Sequence, residues 1–170
     1  IQGQVTGCPG GQSLPATISL LNTPLQATTD TQGNYTFQAP VGTYAIRTMS
    51  NQLGYRGSET SGVDVTEGDT TTLNFCLSCM PRLLLVDADA WSSAQQIIAY
   101  YESDLNELLY SHDTWTINDS IADKPNAAVL AEYDIVIWAQ PSASPGYIGA
   151  WDGLGAYLAQ GGRLIISGQD

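Results

Sequence analysis

Hydrophobic and polar positions follow two different periods along this chain, and the change falls near residue 80. Before it, apolar residues alternate with polar ones over short segments, as Tyr44 and Ile46 do within residues 43–48. Gly, Pro and Asp separate these segments, and in residues 29–33 they predict a turn in which Gly33 takes a positive φ. Short alternating strands at this spacing are typical of a β-sandwich, which is therefore predicted for residues 1–79.

After residue 82 the pattern becomes one of strands alternating with helices. Continuous apolar runs such as residues 83–86 are typical of strands buried on both faces of a parallel sheet. Right-handed crossovers then predict a doubly wound, flavodoxin-like α/β domain over residues 82–170, with strand order 2-1-3-4. The predicted strands cover 83–86, 113–117, 135–139 and 164–167, and the helices cover 97–109, 127–133 and 148–158, the last with Ile148, Trp151, Leu154 and Leu158 on one face.

The fourth predicted strand ends close to Asp170, whereas a flavodoxin-like sheet usually carries a fifth strand and a closing helix. The outer side of residues 164–167 would then be an edge with apolar faces, which invites pairing with another chain. We expect either that the α/β domain is incomplete at its C-terminus or that a neighbouring molecule covers this edge. The second alternative makes self-assembly by strand complementation an expectation.

The charge balance excludes two classes of partner. The 170 residues include 17 acidic and 5 basic side chains, which give a formal net charge of −12. A nucleic-acid-binding protein needs a basic patch to displace counterions from phosphates, and docking on anionic membranes needs one too. No apolar run reaches the roughly 18 residues of a membrane-spanning helix, so we expect neither nucleic-acid binding nor membrane insertion.

The three cysteines, Cys8, Cys76 and Cys79, all lie in the first half of the chain. Cys76 and Cys79 form a C-x-x-C pair, but tetrahedral zinc needs four ligands and the single histidine is distant in sequence. We prefer a disulfide between Cys8 and either Cys76 or Cys79, which would tie the first strand of the sandwich to the last. Free thiols in a cytosolic protein are the alternative.

The remaining composition favours an extracellular or cell-surface protein. Lysine is scarce, Thr, Ser, Asn and Gln are abundant, and the charge is acidic. The triplets at Asn34 (N-Y-T) and Asn118 (N-D-S) are N-glycosylation sequons, which permit modification without demonstrating it.

The first half resembles a known family in its turn residues and inward aromatics. The pattern T-D-x-x-G-x-Y-x-F from Thr29, followed by P-x-G-T-Y-x-I from Pro40, is similar to the carboxypeptidase regulatory-like domain, a prealbumin-like β-sandwich. The resemblance covers nearly all of residues 1–78 and implies a non-catalytic module of a kind common in secreted proteases and surface proteins. The residues themselves favour Asp30 as the cap of a turn over Asp30 as a calcium ligand.

The second half resembles the class I glutamine-amidotransferase-like superfamily, in particular the copies attached to secreted bacterial peptidases. The similar segments are L-L-V-D-x-D from Leu84, Y-D-x-V-I-W from Tyr133 and G-G-R-L-I-I-S-G-Q-D from Gly161. Only the N-terminal part of that family's domain is covered. Amidotransferase chemistry needs a cysteine and a histidine that takes its proton. This half has no cysteine, and its histidine, His112, is predicted at the edge opposite the ligand crevice, so no catalytic residue is assigned.

Asp87 and Asp89 follow the first strand of the predicted sheet and are the candidate metal ligands. The D-x-D pattern after an apolar run resembles the first motif of haloacid-dehalogenase-like phosphatases, in which an Asp attacks phosphorus and Mg²⁺ neutralises charge. A bare calcium or magnesium site and two solvated carboxylates are the other interpretations, and no further cofactor is expected. Other oxygen-bearing residues expected at this edge are Gln140, Ser142, Ser167, Gln169 and Asp170.

We therefore expect a non-catalytic extracellular structural or interaction module, part of a secreted or cell-surface protein. Its expected partners are other copies of itself or the rest of a larger chain. The alternatives are a hydrolase of amidotransferase-like or phosphatase-like type, and a calcium- or carbohydrate-binding module. The four tryptophans (Trp91, Trp115, Trp138 and Trp151) are interpreted as core or interface anchors rather than a platform for sugars.

Overall fold

The computed structural model describes residues 1–89, 97–140 and 144–168. The chain forms two compact units, one of Ile1–Met80 with Leu109–Ser111, the other of Pro81–Leu108 with His112–Asp170. Among the described residues, no helix is long and apolar enough to cross a membrane. The elements in chain order are β1 (Gln2–Cys8), β2 (Ala16–Leu20), β3 (Gln26–Thr28), β4 (Asn34–Thr36), β5 (Gly42–Ser50), β6 (Ser58–Val65), β7 (Phe75–Ser78), β8 (Leu83–Asp87), α1 (Ile98–Glu107), β9 (His112–Thr116), α2 (Ala127–Leu130), β10 (Ile135–Gln140), α3 (Trp151–Ala159) and β11 (Arg163–Gly168).

The first unit is a sandwich of two sheets, with strand orders β4-β1-β7 and β3-β2-β5-β6. β1 pairs antiparallel with β4 and parallel with β7. Because side chains alternate across a strand, every second residue reaches the core, as Ile18 and Leu20 of β2 do. The all-β sandwich predicted from this alternation is confirmed. Its core contains Val5, Leu14, Ala16, Ile18, Leu20, Tyr35, Ile46, Tyr55, Val63, Phe75 and Leu77.

The limits of some strands of the sandwich differ from the extent of side-chain alternation, because main-chain pairing defines them. β3 is an additional strand, held antiparallel to β2. β6 begins at Ser58, although apolar alternation begins only at Val63, because residues 58–60 pair with β5. Conversely, β7 begins only at Phe75, although the alternation of apolar and polar residues already includes Leu73.

The turn before β4 depends on Asp30 and Gly33. Asp30 Oδ1 accepts the main-chain N–H groups of Asn34 at 2.9 Å and Gln32 at 2.8 Å, and these hydrogen bonds lower the pKa of Asp30. The interpretation of Asp30 as a turn cap is confirmed. Gly33 has the predicted positive φ, 78°, and a Cβ atom there would lie 2.6 Å from the carbonyl oxygen of Val5.

A disulfide between Cys8 and Cys76 joins the two parallel strands β1 and β7 across a sequence separation of 68 residues. The Cα atoms are 5.4 Å apart, a separation that disulfides commonly bridge. Cys79 has an exposed free thiol. The structure thus selects Cys76 from the two partners that the sequence left open.

The second unit is a parallel sheet with strand order β11-β10-β8-β9, which is the predicted order 2-1-3-4. Leu83, His112, Ile135 and Arg163 start the four strands in register. This arrangement confirms an α/β domain and does not test its flavodoxin-like assignment. The core on the α2 and α3 side contains Leu84, Val86, Ala88, Ile117, Leu130, Val136, Trp138, Ile148, Ala150, Leu154 and Tyr157.

The helices are shorter than predicted. α1 ends at Glu107 because Leu109 adopts the left-handed conformation with φ of 61°, which an α-helix cannot continue. α2 begins where predicted, with the Asn126 side chain accepting the N–H groups of Ala128 and Val129, but it ends at Leu130. Ile148 precedes α3, which begins at Trp151.

Gly33→Ala is expected to destabilise the sandwich more than Gly62→Ala does. Both glycines have positive φ, but Gly62 has open space around its Cβ position. Left-handed strain alone costs about 1–2 kcal/mol, and the contact with Val5 should add at least about 1 kcal/mol at Gly33. Urea unfolding of both variants measures the difference, and equal losses would contradict the role assigned to the Val5 contact.

Cys8→Ser is expected to lower the free energy of unfolding by about 4 kcal/mol, because it releases the long loop that the disulfide closes. Unfolding is measured under non-reducing conditions. Cys79→Ser is the matched control, since it leaves the Cys8–Cys76 bond intact and should change stability by less than about 0.5 kcal/mol. Similar losses in the two variants would show that the bond contributes little.

Candidate functional site

The carboxyl ends of the parallel strands form the edge at which ligands bind in open α/β sheets. Asp87 is the last residue of β8 and lies opposite Ala139 of β10. Gln140 ends β10 and is buried, and its Oε1 accepts the indole N–H of Trp138 at 2.7 Å. Gln140 therefore satisfies a polar group of the core. Ser167 is described as well, whereas Ser142, Gln169 and Asp170 lie outside the described residues.

Asp87 and Asp89 lie together at this edge. The main-chain N–H of Asp89 points to Asp87 Oδ1 at 3.4 Å, and the Asp89 side chain is buried. Burial raises the pKa of Asp87, and the negative charges of Asp89 and Glu102 raise it further. Asp87 therefore stays protonated to a higher pH than an exposed aspartate does.

The described residues contain no cluster of three or more His, Cys, Asp or Glu side chains that could hold a metal ion. Two neighbouring carboxylates alone supply fewer oxygen ligands than the six to eight that calcium takes. Calcium or magnesium binding at Asp87 and Asp89 therefore stays a prediction, as does the phosphatase-like alternative.

His112 begins β9, at the opposite edge of the sheet from Asp87, which lies opposite Thr116. His112 is four residues before Thr116 along β9. At about 3.3 Å per residue, it therefore lies about 13 Å from the carboxyl edge of the sheet. Among the described residues of this unit, the carboxyl edge holds carboxylate, amide and hydroxyl groups and neither thiol nor imidazole.

The two outer strands of the parallel sheet differ in chemistry. β9 carries polar residues along its length, including Asp113 and Thr114. β11 instead carries Leu164, Ile165 and Ile166, and among the described residues it pairs only with β10. Ile165 is 54% exposed and Ile166 is 42% exposed. Since adjacent residues of a strand face opposite sides, both faces of β11 expose an isoleucine.

One flank of α3 extends the apolar surface of β11. Gly153 faces α2, because a Cβ atom there would lie 3.6 Å from the main-chain nitrogen of Ala127. At 3.6 residues per turn, Trp151 and Leu158 lie about 160° and 140° around the helix from Gly153, on the side away from α2. Since α2 leads from β9 to β10 and α3 leads from β10 to β11, we expect that side of α3 to be the side of the β11 edge. Trp151 is 52% exposed and Leu158 is 45% exposed.

We call Trp151, Leu158, Ile165 and Ile166 the edge patch. Leu164 packs against the core cluster that contains Leu154, so Ile166 lies on the α3 face of the sheet and Ile165 on the other. Residues 144–168 contain one acidic residue, Asp152, and one basic residue, Arg163, and are therefore electrically neutral within a chain of net charge −12.

The structure corrects the predicted face of the last helix. The buried face of α3 consists of Leu154 and Tyr157. Trp151 and Leu158, which were predicted on the same face as Leu154, are exposed. The sequence did contain a sign of this exposed face, because Trp151, Gly155 and Leu158 recur at i, i+4 and i+7 and form a stripe separate from Leu154 and Tyr157. Of the other tryptophans, Trp138 is fully buried, Trp115 packs against the core, and Trp91 lies outside the described residues.

Both sequon asparagines have exposed side chains. Asn34 Nδ2 lies 3.3 Å from Asp30 Oδ2, beside a polar cavity of about 770 Å³ on the sandwich. Asn118 Nδ2 lies 3.4 Å from Asp123 Oδ2. The exposure is compatible with glycosylation, which stays a prediction at both positions.

The family comparison identifies the first unit. The sequence model of the carboxypeptidase regulatory-like domain matches residues 1–78, and this part of the chain is such a domain. The resemblance seen in its turns is confirmed. No curated protein sequence matches the chain. The amidotransferase-like resemblance of the second half stays a prediction.

Several solved structures are partly similar to this chain. One is a type II cohesin–X-dockerin complex from Acetivibrio cellulolyticus, with 17% identity, a TM-score of 0.39 and coverage of 46% of this chain and 56% of that chain. A putative carbohydrate-binding protein from Bacteroides uniformis has 16% identity, a TM-score of 0.36 and coverage of 48% and 41%, respectively. This chain spans about half the length of these structures.

Asp87→Asn and Asp119→Asn are expected to change stability with pH in opposite directions. Because the pKa of Asp87 is raised, wild-type stability falls as pH rises through that pKa, and Asp87→Asn gains stability relative to wild type over this window. The N–H groups of Ile121 and Ala122 lower the pKa of Asp119, so its contribution is present at neutral pH and is lost as pH falls through that pKa.

Urea midpoints measured between about pH 2 and pH 7 test this pair. Asp119→Asn should be less stable than wild type at neutral pH and should match it in strong acid. Parallel pH profiles for the two variants would contradict the opposite environments assigned to these carboxyl groups.

Proposed function

We propose that this chain is a non-catalytic extracellular interaction module whose α/β unit binds a second copy of itself through the edge patch. The observation that carries the proposal is the exposure of apolar residues on both faces of β11, together with an unpaired strand edge among the described residues. An exposed apolar edge strand is a template for pairing with another chain.

The main chain of β11 supplies the first part of the proposed contact. Its outer row of N–H and C=O groups can form a ladder with β11 of a second copy. A two-fold axis perpendicular to the sheet makes that pair antiparallel and uses the same residues from each copy. It also leaves α3 of both copies on one face, where Trp151, Leu158 and Ile166 of one copy approach those of the other.

Charge supports a second copy as the partner. Two chains of net charge −12 repel each other, but the segment that carries the edge patch has no net charge of its own, which limits the repulsion at the contact. The remaining repulsion is long-range and is screened over about 8 Å at physiological ionic strength. Association through the edge patch should therefore strengthen as salt concentration rises.

The absence of catalysis belongs to the same proposal. Among its described residues, the carboxyl edge of the sheet offers oxygen-bearing groups and no thiol or imidazole that could act as nucleophile and base. The carboxypeptidase regulatory-like domain and the Cys8–Cys76 disulfide support an extracellular setting, because disulfides persist in oxidising compartments.

Ile166→Lys is expected to weaken self-association at least about tenfold, or about 1.4 kcal/mol, because it places a charged group at the centre of an apolar contact. Analytical ultracentrifugation over a range of concentrations and salt measures this. Ile121→Lys is the matched control, since Ile121 is 83% exposed outside the edge patch and should leave association unchanged.

Three results would overturn the proposal: a wild-type chain that stays monomeric at high concentration, equal effects of the two substitutions, or association that weakens with salt. Circular dichroism of each variant separates a lost contact from a lost fold, since Ile166 is half exposed and its replacement should be tolerated.

A further inference from the structure

We infer that Cys79 and the Cys8–Cys76 disulfide form a thiol–disulfide exchange site, in which the bond moves between Cys8–Cys76 and Cys8–Cys79. The inference is independent of the proposed self-association. It rests on the placement of three sulfur-bearing residues at one end of the β1–β7 pair.

The register of the parallel strands places Cys8 between its two potential partners. Cys8 lies opposite Ser78, so Cys76 is two residues before that position and Cys79 is one residue after it. The Cys8 and Cys76 Cα atoms are 5.4 Å apart in the bond that the structure contains. Cys79 lies beyond Ser78 along the chain, and its Sγ is 3.2 Å from the main-chain carbonyl oxygen of Cys8.

The third pairing, Cys76 with Cys79, is excluded by chain geometry. Residues 75–78 form a strand, and Cys79 continues it by bridging to Tyr55. Residues three apart in an extended chain are separated by about 10 Å, beyond the roughly 7 Å between Cα atoms that a disulfide can span. Within this domain, Cys8 is therefore the only cysteine that Cys79 can reach.

The exchange step needs no oxidant. The Cys79 thiolate attacks Sγ of Cys8, the bond between Cys8 and Cys76 breaks, and Cys76 leaves as a thiolate that takes up a proton as Cys79 has lost one. One disulfide and one thiol are present before and after. Both exchanging residues, Cys76 and Cys79, are exposed, so the attacking and leaving thiolates are both solvated.

The exchange changes where the domain is held closed. In the Cys8–Cys76 form the covalent bond lies within the paired strands, and residues after β7 are held by main-chain hydrogen bonds such as that from Met80 to Gly54. In the Cys8–Cys79 form the bond lies next to Met80, the last residue of this unit's N-terminal segment. Exchange would therefore move the covalent bond from within the paired strands towards the end of the domain.

The direct test locates the free thiol of the native chain. The protein is held anaerobically at a series of pH values, quenched with acid, alkylated with N-ethylmaleimide, then reduced, and the alkylated cysteine is located by fragmentation in the mass spectrometer. Label on Cys79 marks the Cys8–Cys76 form, and label on Cys76 marks the exchanged form. Label should appear on Cys76 with a rate that rises about tenfold per pH unit while thiols are mostly protonated.

Label confined to Cys79 at every pH would overturn the inference, and label on Cys8 would overturn the geometric exclusion of the Cys76–Cys79 pair. A second arm compares Cys76→Ser with Cys8→Ser. Cys76→Ser should form the Cys8–Cys79 bond, lose two hydrogens by mass and keep a higher melting temperature than Cys8→Ser, which can form neither bond. If Cys76→Ser fails to fold, the labelling of the native chain still decides.

Discussion

The two outer strands of the parallel sheet are unequal, and this difference determines how the second unit can interact with other molecules. A parallel sheet needs cover on both faces and protection at both outer strands. β9 meets this requirement with polar side chains, whereas β11 exposes Ile165 and Ile166 on opposite faces. The flank of α3 beside it adds Trp151 and Leu158, and the same segment is electrically neutral. These features distinguish the β11 side of the sheet from the β9 side.

The first unit manages its strand ends by covalent chemistry instead. Its parallel pair β1–β7 is closed by the Cys8–Cys76 disulfide, with the Cys79 thiol beside Cys8. All three cysteines thus belong to the first unit, while the carboxyl edge of the α/β unit presents only oxygen-bearing groups among its described residues.

Much of this could be predicted from the sequence because local physics decides it. Alternation places Ile18 and Leu20 in the sandwich core, Asp30 caps its turn through neighbouring N–H groups, and right-handed crossovers order the parallel strands. Tertiary context decides the rest. Residues 58–60 join β6 through main-chain pairing, and the exposure of Trp151 depends on where α2 packs against α3. The choice of Cys76 over Cys79 depends on strand register, which composition does not encode.

The central claim is that a second copy covers the β11 edge. The most direct test of it is hydrogen–deuterium exchange at low and high protein concentration. Amide groups of residues 163–168 should exchange more slowly at high concentration, because those on the outer side of β11 become hydrogen-bonded in the associated state. The amide groups of β9, the other outer strand of the same sheet, should exchange at the same rate at both concentrations. Protection that is absent from β11, or equal on β9 and β11, would contradict the claim.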